Sequence, residues 1–339
     1  MKTEFEYIVL GLGGIGSAAV YWLARQAGEE VLGLEQFELG HVRGESQDHS
    51  RIIRLSYHTP FYVELAKKAY AAWTALESDC NEPLILKTGG LDLWPPNASI
   101  PMRDYTESLR NRSIPFELMQ DVEIMRQYPQ WKVPDGTVGL FQIEGGIAPA
   151  ARCNAAHQTM AREHGATLRE NAPVSLLQAK SDEVIVVAGD THYRCHKLVV
   201  AAGPWTNQAL GHFGMRLPLT ITQEQVTYFT PLQTEPFQPE RFPIWIWMDE
   251  PSFYGFPIYG ENAVKVGQDV GGKEVTAETR TFEPNPETLA RVVDFTNTHL
   301  PWATGNILYT KTCLYTLTPD RDFVIDSIPN HPNCWLAIG

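Results

Sequence analysis

The chain has 339 residues, of which 43% are hydrophobic and 20% are charged, and its formal net charge is -13. This length allows a large core and predicts two domains. The negative charge argues against nucleic acid and anionic membrane surfaces as partners, but it leaves room for a small anionic substrate at a local cationic site. The first strand is expected almost at once, with no signal peptide before it, and no long apolar run predicts a membrane span.

The cysteines are odd in number and widely scattered, at positions 80, 153, 195, 313 and 334. They form no C-x-x-C pair, so neither a disulfide framework nor a zinc site is expected, and no metal is predicted. This pattern favours a reducing compartment, and we expect a cytoplasmic protein.

Residues 7–35 carry the strongest local pattern in the chain. An apolar run over 7–10 ends at Gly11-x-Gly13-x-x-Gly16, a helix-type stretch follows, and a second apolar run over 31–34 ends on Glu35, 19 residues after Gly16. In such a unit the glycines permit a tight turn, a close approach of the backbone to a pyrophosphate and close packing of helix on strand, while the acid accepts hydrogen bonds from a ribose hydroxyl. The pattern predicts a dinucleotide site. It leaves FAD and NAD open, and the acid argues against NADP.

A polar loop over 41–50 precedes two arginines. With Ser50 as N-cap, a helix beginning at this point would place Arg51 and Arg54 on one face. Two guanidinium groups on one face suit a carboxylate or a phosphate, although a solvated basic surface is the ordinary alternative. Ile52 and Ile53 between them indicate partial burial, where unpaired arginines would be costly.

The rest of the chain alternates between helix and strand patterns. Helices are predicted over 61–79, 103–111, 121–127, 150–164 and 286–299. Strands are predicted over 89–94, 138–143, 174–177, 184–187, 227–229, 244–248, 253–258, 263–267 and 335–338, with a further strand ending at 200. The strands that follow the helix over 150–164 are expected to be parallel, and the aromatic-rich strands from 227 to 267 are expected to form an antiparallel wall of a substrate pocket.

Six motifs occur in order along almost the whole chain: Gly-Leu-Gly-Gly-Ile-Gly (11–16), Ser-Arg-Ile-Ile-Arg (50–54), Ala-Ala-Gly-Pro-Trp (201–205), Phe-Tyr-Gly-Phe-Pro (253–257), Val-Lys-Val-Gly (264–267) and Lys-Thr-Cys-Leu-Tyr-Thr-Leu-Thr-Pro-Asp-Arg-Asp-Phe-Val-Ile-Asp (311–326). Together they resemble the monomeric sarcosine oxidase / N-methyltryptophan oxidase family of flavin amine oxidases. The block around Cys313 is the most specific of them.

The resemblance implies an FAD cofactor and the residues that hold it. Cys313 matches the cysteine that carries FAD covalently, as a thioether to the 8-methyl carbon; without the motif, a buried apolar cysteine would be the default. The positions implied to bind the cofactor are Gly11, Gly13, Gly14, Gly16, Glu35, Gln36, Ser50, Arg51, Val174, Ala202, Gly203, Trp205 and Cys313.

The resemblance also implies catalytic positions. Lys265 matches a lysine held by water over the flavin where oxygen is reduced; a buried Lys265 requires its strand neighbours to face the other way. Arg51 matches an arginine beside the flavin ring, and Arg54 one that pairs with the substrate carboxylate. Tyr254 and Tyr315 match tyrosines of the substrate cavity.

The implied fold is α/β with mixed α+β character. An FAD-binding, Rossmann-like doubly wound domain (1–85, 145–215 and 313–339) is interrupted by an antiparallel-sheet substrate domain (86–144 and 216–312). The implied activity is oxidation of an N-methyl or other secondary amino acid by molecular oxygen, giving an imine and hydrogen peroxide, in a monomer. Open alternatives are a flavin amine dehydrogenase, an oxidase of cyclic or glycated amino acids, and an inactive nucleotide-binding protein.

Three departures from the family pattern bear on these expectations. The family's histidine-rich loop is here Glu45-Ser-Gln-Asp-His49, and Asp269 replaces a histidine. Both departures argue against sarcosine itself and for a different secondary amine. The chain also stops at Gly339, within a motif that the family continues with a flavin-contacting loop and a lysine. Loss of that loop would weaken FAD binding, and a peroxisomal signal beyond it stays open.

Overall fold

The computed structural model describes residues 2–339, which form seven α-helices and 20 β-strands. The helices are α1 (Gly14–Ala27), α2 (Pro60–Cys80), α3 (Met102–Asn111), α4 (Asp121–Gln127), α5 (Ala150–Glu163), α6 (Thr206–Gly211) and α7 (Pro286–His299). The strands are β1 (Glu4–Leu10), β2 (Val31–Leu34), β3 (Arg51–Ile53), β4 (Leu86–Lys87), β5 (Gly90–Trp94), β6 (Glu117–Gln120), β7 (Val138–Gln142), β8 (Gly146–Ala148), β9 (Thr167–Arg169), β10 (Val174–Ala179), β11 (Val184–Ala188), β12 (Thr191–Val200), β13 (Thr220–Thr230), β14 (Ile244–Trp247), β15 (Ser252–Phe256), β16 (Val264–Asp269), β17 (Lys273–Glu274), β18 (Asn306–Leu317), β19 (Val324–Ile328) and β20 (His331–Ile338).

Five parallel strands form the centre of the first sheet, in the order β20-β12-β1-β2-β9. Successive residues of β1 face opposite sides of the sheet, as a strand requires. Ile8 packs with Leu210 of α6, while Val9 packs with Val20 of α1 and Ala161 of α5. Both faces are therefore covered by apolar side chains, which is typical of parallel sheets and confirms the predicted mixed α/β class.

The strands after α5 are only partly parallel. β12 runs parallel to β1 and β20, as predicted, and β9 runs parallel to β2, but β10 and β11 form an antiparallel hairpin that continues into β12. The prediction of parallel strands was wrong for this pair because short connections join them. Two residues separate β11 from β12, and a parallel crossover needs a dozen or more.

The second sheet has nine strands, in the order β17-β13-β16-β15-β14-β5-β7-β6, with β18 also paired to β13. Its large apolar cluster includes Trp245, Trp247 and Phe253 from the sheet and Phe295 from α7. The expected antiparallel arrangement holds for the aromatic-rich strands, but β5 and β14 pair in parallel. β5 (Gly90–Trp94) and β14 (Ile244–Trp247) are far apart in the chain, so no short turn joins them. Only strands joined by a short turn are forced to pair antiparallel, so these two are free to pair in parallel.

A small third sheet, in the order β3-β8-β4, lies beside the polar loop over 41–50. Here the sequence prediction was wrong: Arg51 to Ile53 form strand β3, and Ser50 caps no helix. Ile52 and Ile53 are β-branched, which favours a strand, and β8 supplies antiparallel pairing, with Arg51 opposite Ala148. A nearby partner strand thus overrides the local signs of a helix start.

Helices α2 and α7 begin at side-chain caps. The Thr59 hydroxyl accepts from the backbone N–H of Tyr62 at 3.3 Å and Pro60 occupies the first turn of α2. Asn285 caps α7 in the same way through Glu287 and Thr288. Such caps satisfy N–H groups that have no partner inside the helix. Within residues 2–339 no helix has the length and apolar character that would let it cross a membrane.

Candidate active site

Two adjoining cavities contain all but one of the residues singled out in the sequence. The nucleotide-edge cavity, of about 500 Å³, lies where β1, β2 and β12 end and is lined by Gly11, Gly13, Gly14, Glu35, Gln36, Val174, Ala202, Gly203 and Trp205. The cationic cavity, of about 1120 Å³, is lined by Ser50, Arg51, Arg54, Tyr254, Lys265, Cys313 and Tyr315. Gln47, Asp48 and Lys311 line both, so the two cavities meet at these side chains.

The turn after β1 has no space for side chains. Gly11 has a φ of +87°, and a Cβ on it would lie 2.4 Å from the carbonyl oxygen of Ala201 at the end of β12. A Cβ on Gly16, which lines neither cavity, would lie 1.8 Å from the carbonyl oxygen of Gly11. The first glycine therefore permits the turn and the other lets α1 pack against it, as the motif requires.

Polar side chains from a loop and from α5 brace this turn. The Ser46 hydroxyl accepts from the backbone N–H of Gly14, at 2.7 Å, at the start of α1. Asn154 donates to the carbonyl oxygen of Ser46 at 2.7 Å, and Gln158, one helical turn further on, donates to that of Leu12 at 3.0 Å. None of these three was singled out in the sequence. The i, i+4 spacing of Asn154 and Gln158 is the sign that would have placed both on one face of α5.

Glu35 lies at the end of β2 and is almost fully buried. Its carboxylate accepts from the backbone N–H of Leu12 at 2.9 Å and of Phe37 at 3.1 Å, and it lies 3.5 Å from His41 Nε2. Burial opposes ionisation, but the hydrogen bonds from His41, Leu12 and Phe37 outweigh it and lower the pKa of Glu35. An ionised carboxylate offers about four lone-pair sites, so capacity remains for a ribose hydroxyl.

Arg51 enters the cationic cavity from strand β3. Its guanidinium donates to backbone carbonyl oxygens, that of Ser50 at 2.9 Å and that of Glu45. Carbonyl dipoles hold the group in place but do not neutralise its charge. Arg51 therefore presents a fixed cation to whatever occupies the cavity.

Arg54, just past the end of β3, is paired with Asp92 of β5. Its Nη1 lies 3.1 Å from Asp92 Oδ1, and the Ser56 hydroxyl donates to the other carboxylate oxygen. The guanidinium carbon lies 5.0 Å from the centroid of the Tyr57 ring, within cation–π distance. Burial raises the pKa of Asp92, although the charge of Arg54 acts against it. Asp92 was not foreseen, because its strand resembles any other apolar strand in the sequence.

Lys265 lies inside the second sheet, with 2% of its surface exposed. Its neighbours Val264 and Val266 pack in the aromatic cluster on the opposite face, as a buried lysine at this position requires. The ammonium donates to the backbone oxygen of Ser50 at 2.9 Å and to its hydroxyl at 3.2 Å, and Nζ lies 2.7 Å from Asp48 Oδ2. Burial and the nearby charge of Arg51 lower the pKa of Lys265 to about 8, against the opposing effect of Asp48.

Cys313 and Tyr315 lie two residues apart on β18, so they share one face of the strand. Cys313 is a free, buried thiol. Burial raises its pKa, while the charges of Arg51 and Lys265 oppose the rise. The hydroxyl of Tyr315 lies 3.4 Å from that of Tyr254 on β15, and burial raises the pKa of both phenols, so both are neutral donors or acceptors at ordinary pH.

Asp269, the residue that replaces an expected histidine, also lines the cationic cavity. Its carboxylate lies 3.0 Å from Arg321 Nη2, and this pair is partly exposed. A histidine would contribute at most one positive charge here; aspartate contributes a negative charge that an arginine largely offsets. The polarity of this part of the cavity therefore differs from the family pattern.

Comparison with known proteins assigns the class. The family model for FAD dependent oxidoreductase matches residues 6–339, so the chain belongs to that family. Monomeric sarcosine oxidase from Streptomyces avermitilis is 32% identical over 98% of this chain and 87% of its own length. N-methyl-L-tryptophan oxidase from Salmonella arizonae is 26% identical over 99% of this chain and 89% of its own. These matches confirm the resemblance stated from the motifs and the enzyme class, a flavin-dependent oxidoreductase that acts on amine CH–NH groups.

A solved structure supports the same fold. NikD, described as an unusual amino acid oxidase essential for nikkomycin biosynthesis, superposes with a TM-score of 0.87 over 99% of this chain and 89% of its own, at 24% identity. At that identity the likeness concerns the fold alone.

The nucleotide-edge cavity fits the FAD that the family requires. Gly11, Gly13 and Gly14 line it without side chains, and the Ser46 hydroxyl accepts from the Gly14 N–H at the start of α1, where a pyrophosphate would bind. Ionised Glu35 stands at the end of β2, where a ribose hydroxyl is bound in such folds. The cationic cavity adjoins it and contains the Cys313 thiol. The residues present thus suit a dinucleotide that extends from one cavity into the other.

Proposed function

We propose that this protein is an FAD-dependent oxidase of N-methyl or other secondary amino acids, with molecular oxygen as electron acceptor. The observation that carries the proposal is the cationic cavity: Arg51, Arg54 and Lys265 line it together with the Cys313 thiol, next to a nucleotide cavity. The relatives named for sarcosine and for N-methyl-L-tryptophan support a secondary amino acid as substrate. We expect a monomer that requires no metal.

The cavity binds an amino acid through its carboxylate. Arg54 is held by Asp92 on one side, and its remaining N–H groups are available to a carboxylate. Tyr254 and Tyr315 offer two neutral hydroxyl groups on the wall of the same cavity. The amine is bound as the free base, so no side chain is required to remove its proton, and the orientation of the carbon next to nitrogen is the protein's contribution.

The reaction removes two electrons and two hydrogens from the CH–NH unit, giving an imine that water hydrolyses to an aldehyde or keto acid and an amine. Bound FAD would supply the two-electron acceptor, with oxygen as the final acceptor and hydrogen peroxide as its product. Lys265 contributes a buried cation, which favours electron transfer to neutral oxygen because it offsets the negative charge that develops there.

We further propose that Cys313 carries FAD as a thioether to the 8-methyl carbon. Forming this C–S bond removes one hydrogen from the thiol and one from the methyl group, with two electrons passing to oxygen. Burial raises the Cys313 pKa overall, and the charges of Arg51 and Lys265 limit this rise and so lower the cost of forming the thiolate required as nucleophile.

An absorption spectrum before and after acid precipitation tests the cofactor, and peroxide release with sarcosine, N-methyl amino acids, proline and pipecolate tests the activity. Flavin in the pellet and peroxide with sarcosine or another N-methyl amino acid support the proposal. Dye reduction without peroxide would identify a dehydrogenase, and peroxide with cyclic or glycated amino acids alone would move the substrate class. A colourless protein that FAD does not reconstitute would favour an inactive nucleotide-binding protein.

A further inference from the structure

The loop over 41–50 places an acid directly against Lys265. Asp48 Oδ2 lies 2.7 Å from Lys265 Nζ, and the two side chains are 4% and 3% exposed. The two residues come from the loop and from β16, far apart in the sequence, and they meet where the two cavities adjoin. Neither the flavin motif nor the carboxylate site accounts for this acid.

Both partners are held on several sides. The Tyr228 hydroxyl donates to either oxygen of Asp48, at 2.8 and 2.9 Å, and Lys311 Nζ lies 3.8 Å from Oδ1. The Lys265 ammonium, besides Asp48, has only Ser50 as hydrogen-bond acceptor within residues 2–339, and its Nζ lies 4.7 Å from the centroid of the Phe256 ring. The contacts around Asp48 and Lys265 therefore hold the ion pair in one geometry. An ion pair on the surface would not be held in this way.

We propose that Asp48 is a positioning residue that holds Lys265 in its charged form and aims it at the junction of the two cavities. The consequence for oxygen rests on the proposed function, whereas the ion pair itself does not. Asp48 thereby makes the ammonium a permanent feature of the site at neutral pH.

Electrostatics supports the direction of this effect. Burial and the charge of Arg51 push Lys265 toward the neutral amine, and Asp48 is the largest influence that opposes them, with Cys313 adding to it. For Asp48, burial is outweighed by Lys265 and by the Tyr228 hydrogen bond, which lower its pKa to about 2, so the carboxylate stays ionised throughout the neutral range. Without Asp48, the influences that lower the pKa of Lys265 would act almost unopposed.

The test is a titration of Lys265 itself. Protein carrying FAD and ¹³C-labelled lysine is titrated by NMR, and the Lys265 resonance is assigned by its loss in Lys265→Arg. Asp48→Asn keeps the shape of the side chain and should lower the midpoint by at least about one pH unit, a tenfold change in proton affinity. Asp92→Asn, which removes the buried acid that pairs with Arg54, is the matched control and should leave the midpoint in place. A native midpoint in Asp48→Asn would overturn the proposal.

Thermal stability can be measured even if a variant folds too poorly for the NMR titration. Lys265→Met and Asp48→Asn each leave one buried group without its partner, so each should lower the Tm. The double variant removes both charges and should melt above Lys265→Met alone; purely additive losses would contradict the pairing. If no amine yields peroxide, the proposed function fails while the titration and melting data still decide the role of Asp48.

Discussion

The first glycine of the motif offers the sharpest test of the nucleotide cavity. Gly11→Ala adds a single methyl group at a position with a φ of +87° and places it 2.4 Å from the carbonyl oxygen of Ala201. That oxygen belongs to the backbone at the end of β12, so it cannot rotate away. Either the turn or the strand end must move, and both border the cavity that we assign to FAD.

The expected magnitude follows from these two effects. A non-glycine residue in the left-handed region costs about 1–2 kcal/mol. The carbon–oxygen contact adds to this cost, because the turn must shift by about 1 Å to restore an ordinary separation. Part of the strain is relieved when FAD is absent and the turn can relax. We therefore expect about 2 kcal/mol to be lost from FAD binding, a roughly thirtyfold rise in Kd.

The assay is a flavin fluorescence titration in a Cys313→Ala background, where FAD can exchange freely. Gly214→Ala is the matched control, since Gly214 has a φ of +67° but a Cβ there would meet no atom within 4 Å. The control should cost stability and leave the Kd for FAD within about twofold, as surface changes usually do. A Gly11→Ala protein that binds FAD as tightly as its background would refute the role of the close approach.

Three further changes address the remaining groups. Cys313→Ala should release all flavin into the supernatant on acid precipitation; flavin in the pellet would place the attachment elsewhere. Lys265→Met should slow reoxidation of the flavin by oxygen about a hundredfold or more, and its reduction by the amine far less. Stopped-flow absorption spectra measure the two half-reactions separately. Equal slowing of both would show that Lys265 has no specific role in the reaction with oxygen. His157 is a buried residue of α5, and burial lowers its pKa to about 4, from a usual 6.5. The folded protein therefore resists protonation of this imidazole: its full stability is present above pH 6.5 and is lost as the pH falls toward 4. The loss in the free energy of unfolding is roughly 3 kcal/mol. In His157→Gln this part of the pH dependence should disappear from a plot of Tm against pH. A plot unchanged from that of the native protein would show that His157 is not its source.

Local patterns were sufficient where the structure is decided locally. Helices α4 and α7 begin and end where the sequence predicts, over 121–127 and 286–299. α7 begins with Asn285 as cap and Pro286 in its first turn, features that are legible within a few residues. The glycine turn was predictable for the same reason, since strand, turn, helix and acid follow one another within 29 residues.

Contacts between distant parts of the chain were not predictable. Arg51 lies in a strand because β8, more than ninety residues away, pairs with it. The motif around Cys313 was recognised, but the long strand β18 that contains it was not. Residues 306–317 show no alternation of polar and apolar side chains, and they form a strand because they pair with β13. The acids that pair with the predicted cations, Asp48 and Asp92, come from separate elements, and no spacing in the sequence links them.

These pairings change how the cationic cavity is understood. Within residues 2–339, Lys265 and Arg54 each have a carboxylate within hydrogen-bond distance, whereas Arg51 donates to backbone carbonyl oxygens. A buried cation with an acid beside it adds little net field at a distance, because the two charges largely cancel. Arg51 therefore contributes most of the uncompensated positive charge among these three. The Arg51 charge lies beside Cys313, Tyr254 and Tyr315, so it is available to an anionic group at this end of the cavity. Arg54, whose charge Asp92 offsets, recognises a carboxylate mainly through its directed N–H groups.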